Sequence, residues 1–373
     1  MYRIMHKTEI IALADEEKIT EIINKVLCPH CFTVGMPIYI WLDNRCVDMH
    51  RSHSRKLFKA LRLRNSENTA ELISVGHGVS ITDNWWIQRD DENLDYSSLK
   101  KYNEQIADIA LLGGSDSDER NTNGYLELGT VGSYEKAWRF EGDSWYMYKQ
   151  GGIQELLSEY YSYLFLKAMN FNVAEYHIRS VKSAETGLST TFMLSKDFTN
   201  NAEVDFEPFC NYFNDNEDPD FIIPRLPEKL IKQYVMTVFY DALLFNGDRH
   251  NQNIGVLRDS STGGIIDLAP GFDYNLGLIA SGVPRINKST GNVFTEGILG
   301  NETCRRILKE NIPGKQKIAD AVKSATEGVK SALGLNDLNY SLIENYIKDT
   351  YDYIFENIQP ELFTKHQNAV NNF

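Results

Sequence analysis

The chain has no run of about eighteen apolar residues, the least a helix needs to cross a bilayer, so no membrane span is expected. Its opening, MYRIMHKTEIIALADEEK (Met1–Lys18), lacks an apolar core followed by a cleavage site, and acids follow at once. It does not read as a secretory signal. Cysteine is sparse. Five residues at irregular spacing, an odd number, argue against a disulfide framework and for a cytoplasmic chain with reduced thiols. Long Lys/Arg runs are missing too, and the formal net charge is -14, so direct nucleic-acid binding is not expected. The densest basic stretch, Arg51–Arg64, carries Leu57, Leu61 and Leu63 and reads as an amphipathic helix with a basic outer face. No GxxxxGK[ST] occurs, which excludes a P-loop enzyme, and no internal repeat is found. Cys28 and Cys31 form CPHC, with Cys46, His50 and His53 downstream. Two thiolates at this spacing can share a zinc ion, but no second CxxC completes the set, and a turn with half-buried cysteines is expected.

What is present is core-forming material. Hydrophobic residues make up 42% of 373, with Tyr 20 and Phe 18, enough for two or three folded units. A turn-rich seam, GGSDSDERNTNG (Gly113–Gly124), closes an N-terminal α/β module placed at 1–115. In that module MPIYIWLDN (Met36–Asn44) reads as a strand, Ser54–Arg64 as a helix, and SITDNWWIQ (Ser80–Gln88) as an aromatic cluster. A strand-rich segment is placed at 116–200. Tyr125–Val131, Lys136–Gly142 and Ser144–Gly151 form three short strands, Ile153–Met169 a helix, and Tyr176–Ser183 and Ser189–Phe198 further strands. An acidic, loop-like stretch follows, Phe198–Asp220. The rest, placed at 201–373, is mainly helical, with clear helices at Pro227–Phe245 and Tyr340–Ile358. A small strand-rich lobe followed by a helical one is the bilobal plan of ATP-dependent kinases, giving an α+β, protein-kinase-like class with an extra N-terminal module.

One segment names a chemistry. FNGDRHNQNIGVL (Phe245–Leu257) is followed by IIDLAPGFDYN (Ile265–Asn275). Asp248 suits the orientation of an attacking hydroxyl, because a loose phosphoryl-transfer transition state demands positioning more than a strong base. Asn253, five residues on, offers an amide oxygen to a hard cation, and Asp273, beyond a hairpin, a carboxylate. Magnesium takes few protein oxygens and fills its remaining positions from phosphates and water. Arg249 and His250 between them either contact phosphate or brace the loop. Upstream, Lys149 ends an aromatic strand and is the candidate cation for the ATP phosphates. Glu155 and Glu159 share one face of the next helix, with Glu159 favoured as the acid that holds Lys149. GTVGSYEKAW (Gly129–Trp138) is the candidate phosphate loop, with Gly129, Gly132 and Ser133 for close backbone approach. Lys136 there either reaches a phosphate or faces water. The adenine-side connection is placed at Leu194–Asp197, with Leu194 and Ser195 as nucleotide contacts.

NGDRHNQN and DLAPGFDYN resemble the signature of the HipA-like bacterial serine/threonine kinases, and GSYEKAW resembles that family's phosphate loop. The likeness covers roughly Gly124–Phe373; SITDNWWIQ resembles a segment preceding the kinase core in some bacterial relatives. The resemblance implies ATP and Mg2+ as cofactors and transfer to a hydroxyl of a protein substrate. Asp248 then takes the catalytic role, Asn253 and Asp273 the metal role, and Lys149 the phosphate role. It further implies a growth-arresting toxin restrained by a small DNA-binding antitoxin. A separate expectation is self-phosphorylation at Ser133, less readily at Thr130, which inhibits by adding charge where ATP sits. Ser133 and Tyr134 depart from the family's phosphate loop, where smaller or amide residues are typical. Three rivals share the motif. A phosphoinositide-type lipid kinase has a similar GDRHNQNI loop, but a chain of this negative charge suits an anionic membrane poorly. The others are a nucleotide-binding regulator without turnover and a nucleotidyl transferase.

Overall fold

The computed structural model describes residues 1–47, 51–61, 63, 75–100, 102–113, 126–130, 134–182, 189–284, 293–334 and 338–358. They divide into two compact units. The first comprises Met1–Gly151, Glu175–Tyr212 and Gly255–Ala269, the second Gly152–Ala174, Phe213–Ile254 and Pro270–Phe373. The class is α+β, as expected: every sheet lies in the first unit and the long helices in the second. Among the described residues no helix is long and apolar enough to cross a membrane.

In the first unit, β1 (Tyr2–His6), β2 (Glu9–Ala14), β3 (Ile19–Ile22) and β4 (Trp85–Arg89) form an antiparallel sheet in the order β3-β2-β1-β4. Ile4, Ile11, Ile19, Phe32, Trp41 and Trp85 make its core. The stretch expected as a strand at Met36–Asn44 is instead helix α1 (Ile38–Leu42) and a 3₁₀ turn. Its β-branched and aromatic residues suit a strand, but Ile38, Trp41 and Leu42 are the buried ones. That is a helical spacing, which packing enforces over propensity.

A second antiparallel sheet joins β5 (Lys136–Glu141), β6 (Ser144–Lys149), β7 (Tyr176–Lys182) and β8 (Ser189–Lys196) in the order β5-β6-β8-β7. Alternation sorts its side chains. Ala137, Tyr148, Phe192 and Leu194 pack with α2 (Ser54–Ala60) and α3 (Glu104–Leu112), while Trp138 and Trp145 pack with Met5, Val79 and Trp86. The N-terminal residues therefore share a core with these strands. The strand expected at Tyr125–Val131 is, where described, a 3₁₀ turn at Leu126–Gly129. A Cβ on Gly129 would lie 2.0 Å from the Val79 carbonyl oxygen, a closeness that only glycine permits.

The third sheet, β9 (Val204–Pro208), β10 (Gly255–Asp259) and β11 (Ile265–Leu268), has the order β11-β10-β9. β9 lies inside the stretch expected as an acidic loop. Its buried residues are the acids Asp205 and Glu207, an inverted alternation that hydrophobic pattern reading misses. Each acid has a distant partner. Asp205 meets His6 Nε2 at 2.7 Å, and Glu207 accepts from Arg258 Nη1 at 2.6 Å and from the His30 N–H at 2.6 Å. Glu207 thereby anchors the CPHC turn. Cys28 lies in the core, where burial lifts its thiol to about 11, and Cys31 is pushed up to about 12 by burial. His30 stacks on Tyr212 at 4.2 Å.

The second unit holds α4 (Ile153–Ala168), α5 (Glu228–Leu244), α6 (Val293–Gly300), α7 (Glu302–Asn311), α8 (Lys315–Leu333) and α9 (Tyr340–Asn357). α5 is buried on nearly every side in its C-terminal half, from Tyr234 to Leu244, and so forms the centre of the unit. α8 lies along α4 through Ile318, Ala321, Val322, Ala325 and Val329, with Gly328 facing Leu164.

Candidate active site

The second unit carries Asp248, Asn253 and Asp273. α5 stops at Phe245, whose backbone is left-handed (φ 45, ψ 52) and whose N–H caps onto the Asp241 carbonyl. The turn thus bends at Phe245, and Gly247 is not among the residues with positive φ. Asp248, half-buried, follows directly. The Asn253 N–H donates to the His250 carbonyl at 2.8 Å. Asn253 Nδ2 donates to the Asp248 carbonyl at 3.2 Å and meets His250 Nε2 at 3.1 Å. With its nitrogen so held, the Asn253 amide has its oxygen left to offer to a cation.

The second acid arrives on a separate strand of chain. Gly271 N–H donates to the Asn172 carbonyl and Ala174 N–H to the Gly271 carbonyl, both at 2.9 Å. Downstream, Leu278 N–H donates to the Leu244 carbonyl at 2.8 Å. Between these anchors Asp273 adopts φ 56, a left-handed conformation uncommon outside glycine and concentrated at functional sites.

Arg249 joins the two segments. Its Nη1 donates to the carbonyls of Asn253 and of Phe272, the latter at 2.9 Å. Nε and Nη2 reach the two oxygens of Asp241 at 3.0 and 3.1 Å, and the guanidinium lies over the Tyr274 ring at 4.8 Å. Burial would lower the Arg249 pKa, but the Asp241 carboxylate holds it above its ordinary value. Of the two roles open to Arg249, this geometry selects the brace. Asp241 was invisible as a site residue in the sequence, where it reads as one more polar position on a helix. An acid eight residues before an arginine across a helix end was the available signal.

The other site residues expected from sequence divide between the units. Glu159 is in the second, buried on α4. A Cβ on Gly152 would lie 2.2 Å from Glu155 Oε2, so Glu155 folds back over the start of its own helix, where an acid complements the dipole. In the first unit, Lys149 ends β6 directly opposite Lys136 of β5, and its ammonium lies 5.4 Å from the Tyr134 ring centroid. Two cations placed face to face on one sheet repel unless anions attend them. Leu194 is a core residue, and Ser195 is half-buried opposite Met147. Gly129 is explained by the Val79 carbonyl, so its close approach is to protein rather than to a phosphate. Gly132 and Ser133 lie outside the described residues.

Among the described residues no three His, Cys, Asp or Glu side chains could hold a metal on their own. The donors at hand, one carboxylate and one amide oxygen, fit magnesium, which is commonly held by one or two protein oxygens together with nucleotide phosphates.

No family model matches the chain, and no curated protein matches it. Among solved structures it is similar to a Helicobacter pylori proinflammatory kinase, CtkA, at 16% identity and a TM-score of 0.41 over 62% of this chain and 95% of that one. It is also similar to a toxin–antitoxin assembly of Shewanella oneidensis MR-1 containing HipA, HipB and operator DNA, at 10% identity and a TM-score of 0.49 over 95% of this chain and 97% of that one.

Proposed function

We propose that the chain is an ATP- and Mg2+-dependent protein kinase of HipA type, moving the γ-phosphoryl group of ATP to a serine or threonine hydroxyl. The observation that carries this reading is the Arg249 bridge, which binds the carbonyls of Asn253 and Phe272 and so gathers the Asp248–Asn253 loop and the Asp273 segment within one unit. In the proposed roles, Asp248 orients the acceptor hydroxyl and takes its proton. Asn253 and Asp273 hold the cation, which when bound neutralises charge on the phosphate oxygens. Lys149 takes the phosphate role that the sequence resemblance gives it. The family resemblance of NGDRHNQN adds a small DNA-binding partner that restrains the kinase.

The deciding measurement is transfer of γ-phosphate label from ATP to protein, with and without Mg2+, by the native chain and by Asp248→Asn and Asp273→Asn. The expected result is Mg2+-dependent transfer that both substitutions nearly abolish. Label transferred at the native rate by both variants would remove the assignment; label arriving from the α-phosphate instead would make the chain a nucleotidyl transferase.

A further inference from the structure

Arg249 is enclosed. Its side chain is 8% exposed and its partner Asp241 1%. Removing both charges from water is costly, and a buried ion pair often does no more for stability than well-packed apolar residues of the same volume. Stability alone therefore does not explain why a guanidinium stands here. What an apolar pair cannot do is donate hydrogen bonds. Arg249 Nη1 donates to two carbonyls from segments nineteen residues apart: that of Asn253, and that of Phe272 immediately before Asp273.

Asp241 fixes the other side of the guanidinium. Both of its carboxylate oxygens accept from Arg249, at 3.0 and 3.1 Å, and Oδ1 also accepts from Asn246 Nδ2 at 3.2 Å. Its carbonyl accepts the N–H groups of Phe245 and Asn246, which close the helix end. The loop bearing Asp248 and Asn253 thus hangs from one residue of α5, and the Asp273 segment hangs from the same residue through one guanidinium.

We infer that Asp241 and Arg249 are positioning residues that set the distance between the two cation-binding segments, so that divalent-cation affinity depends on a pair touching neither cation nor substrate. This rests on the kinase reading for the identity of the cation ligands. The carbonyl that Arg249 holds belongs to the residue just before Asp273, whose left-handed backbone persists only if its neighbours are fixed. Ligand orientation by such outer partners typically changes metal affinity about 10–100-fold.

The test uses the full chain, with Mn2+ as the probe ion in the presence of ATP. Bound Mn2+ is read from loss of the free-ion paramagnetic signal, and Mg2+-dependent ATP binding from titration calorimetry. Three proteins are compared with the native chain: Asp241→Asn, Arg249→Lys, and the double substitution Asp241→Leu with Arg249→Met. The double variant removes both charges together and keeps an apolar volume, so it guards against misfolding of the single ones. The expected result is a half-saturating Mn2+ concentration raised about 10-fold or more in every folded variant, the double one included, with its thermal midpoint close to native. Native Mn2+ dependence in a folded double variant and in Arg249→Lys overturns the inference and leaves the kinase reading intact. Binding of Mn2+ and ATP by the native chain without phosphate transfer, with the variants still shifted, overturns the kinase reading and leaves the inference standing. Failure of the native chain to bind Mn2+ with ATP overturns both.

Discussion

Glu127 offers a sharp test of how the first unit is built. Its Oε1 accepts the Trp138 N–H at 3.2 Å, and its Oε2 is buried with no hydrogen-bond partner among the described residues. Burial pushes the carboxyl up to about 8, against the opposing pull of the Arg51 charge and the Trp138 N–H. The folded chain therefore keeps this proton at neutral pH, whereas the unfolded chain releases it near 4.5, the ordinary value. A proton held more tightly in the folded state supports stability fully below about pH 4.5. The support declines as pH rises and is gone above about pH 8. At about 1.4 kcal/mol for each pH unit of that interval, the full swing is roughly 5 kcal/mol. Glu127→Gln, which keeps an acceptor for Trp138 and cannot ionise, should match the native chain near pH 4.5 and exceed it by several kcal/mol at pH 8.5. Urea unfolding of both proteins at half-unit steps measures this, because all other titrating groups cancel in the difference. A difference that stays constant across the range would mean that the carboxyl is charged throughout, and the reasoning would fail.

Further outcomes follow from the same contacts. Asp248→Asn should lower γ-phosphate transfer about 10²–10⁴-fold with the unfolding midpoint unchanged, measured by single-turnover labelling. Gly129→Ala should destabilise the chain by more than about 1 kcal/mol without any nucleotide, because the new methyl meets the Val79 carbonyl; a stable variant that only binds ATP poorly would return Gly129 to the phosphates. Glu207→Gln should cost about 3–5 kcal/mol in urea unfolding, since it leaves the buried Arg258 charge without its acid; a loss under about 1 kcal/mol would show that the three carbonyls bonded to Arg258 suffice.

The amino-acid sequence by itself determined the strands from Lys136 to Lys149, the hairpin from Gly255 to Leu268 and the helices at Ile153, Glu228 and Tyr340. Each has a local cause: apolar residues recurring at the period of the element, bounded by turn residues. It also singled out Asp248, Asn253 and Asp273, because that order of oxygen donors suits one chemistry. Tertiary structure alone decided the rest. β9 was hidden because its inward residues are acids, and partners such as His6, 199 residues from Asp205, and Arg258, 51 residues from Glu207, make burying them tolerable. Helix α1 overrode its own strand propensity because three side chains had to reach one core. Arg249 became a brace rather than a phosphate contact because Asp241 and two carbonyls surround it. A polar residue's role is set by which partner it meets, and partners brought together by folding leave no periodic trace along the chain.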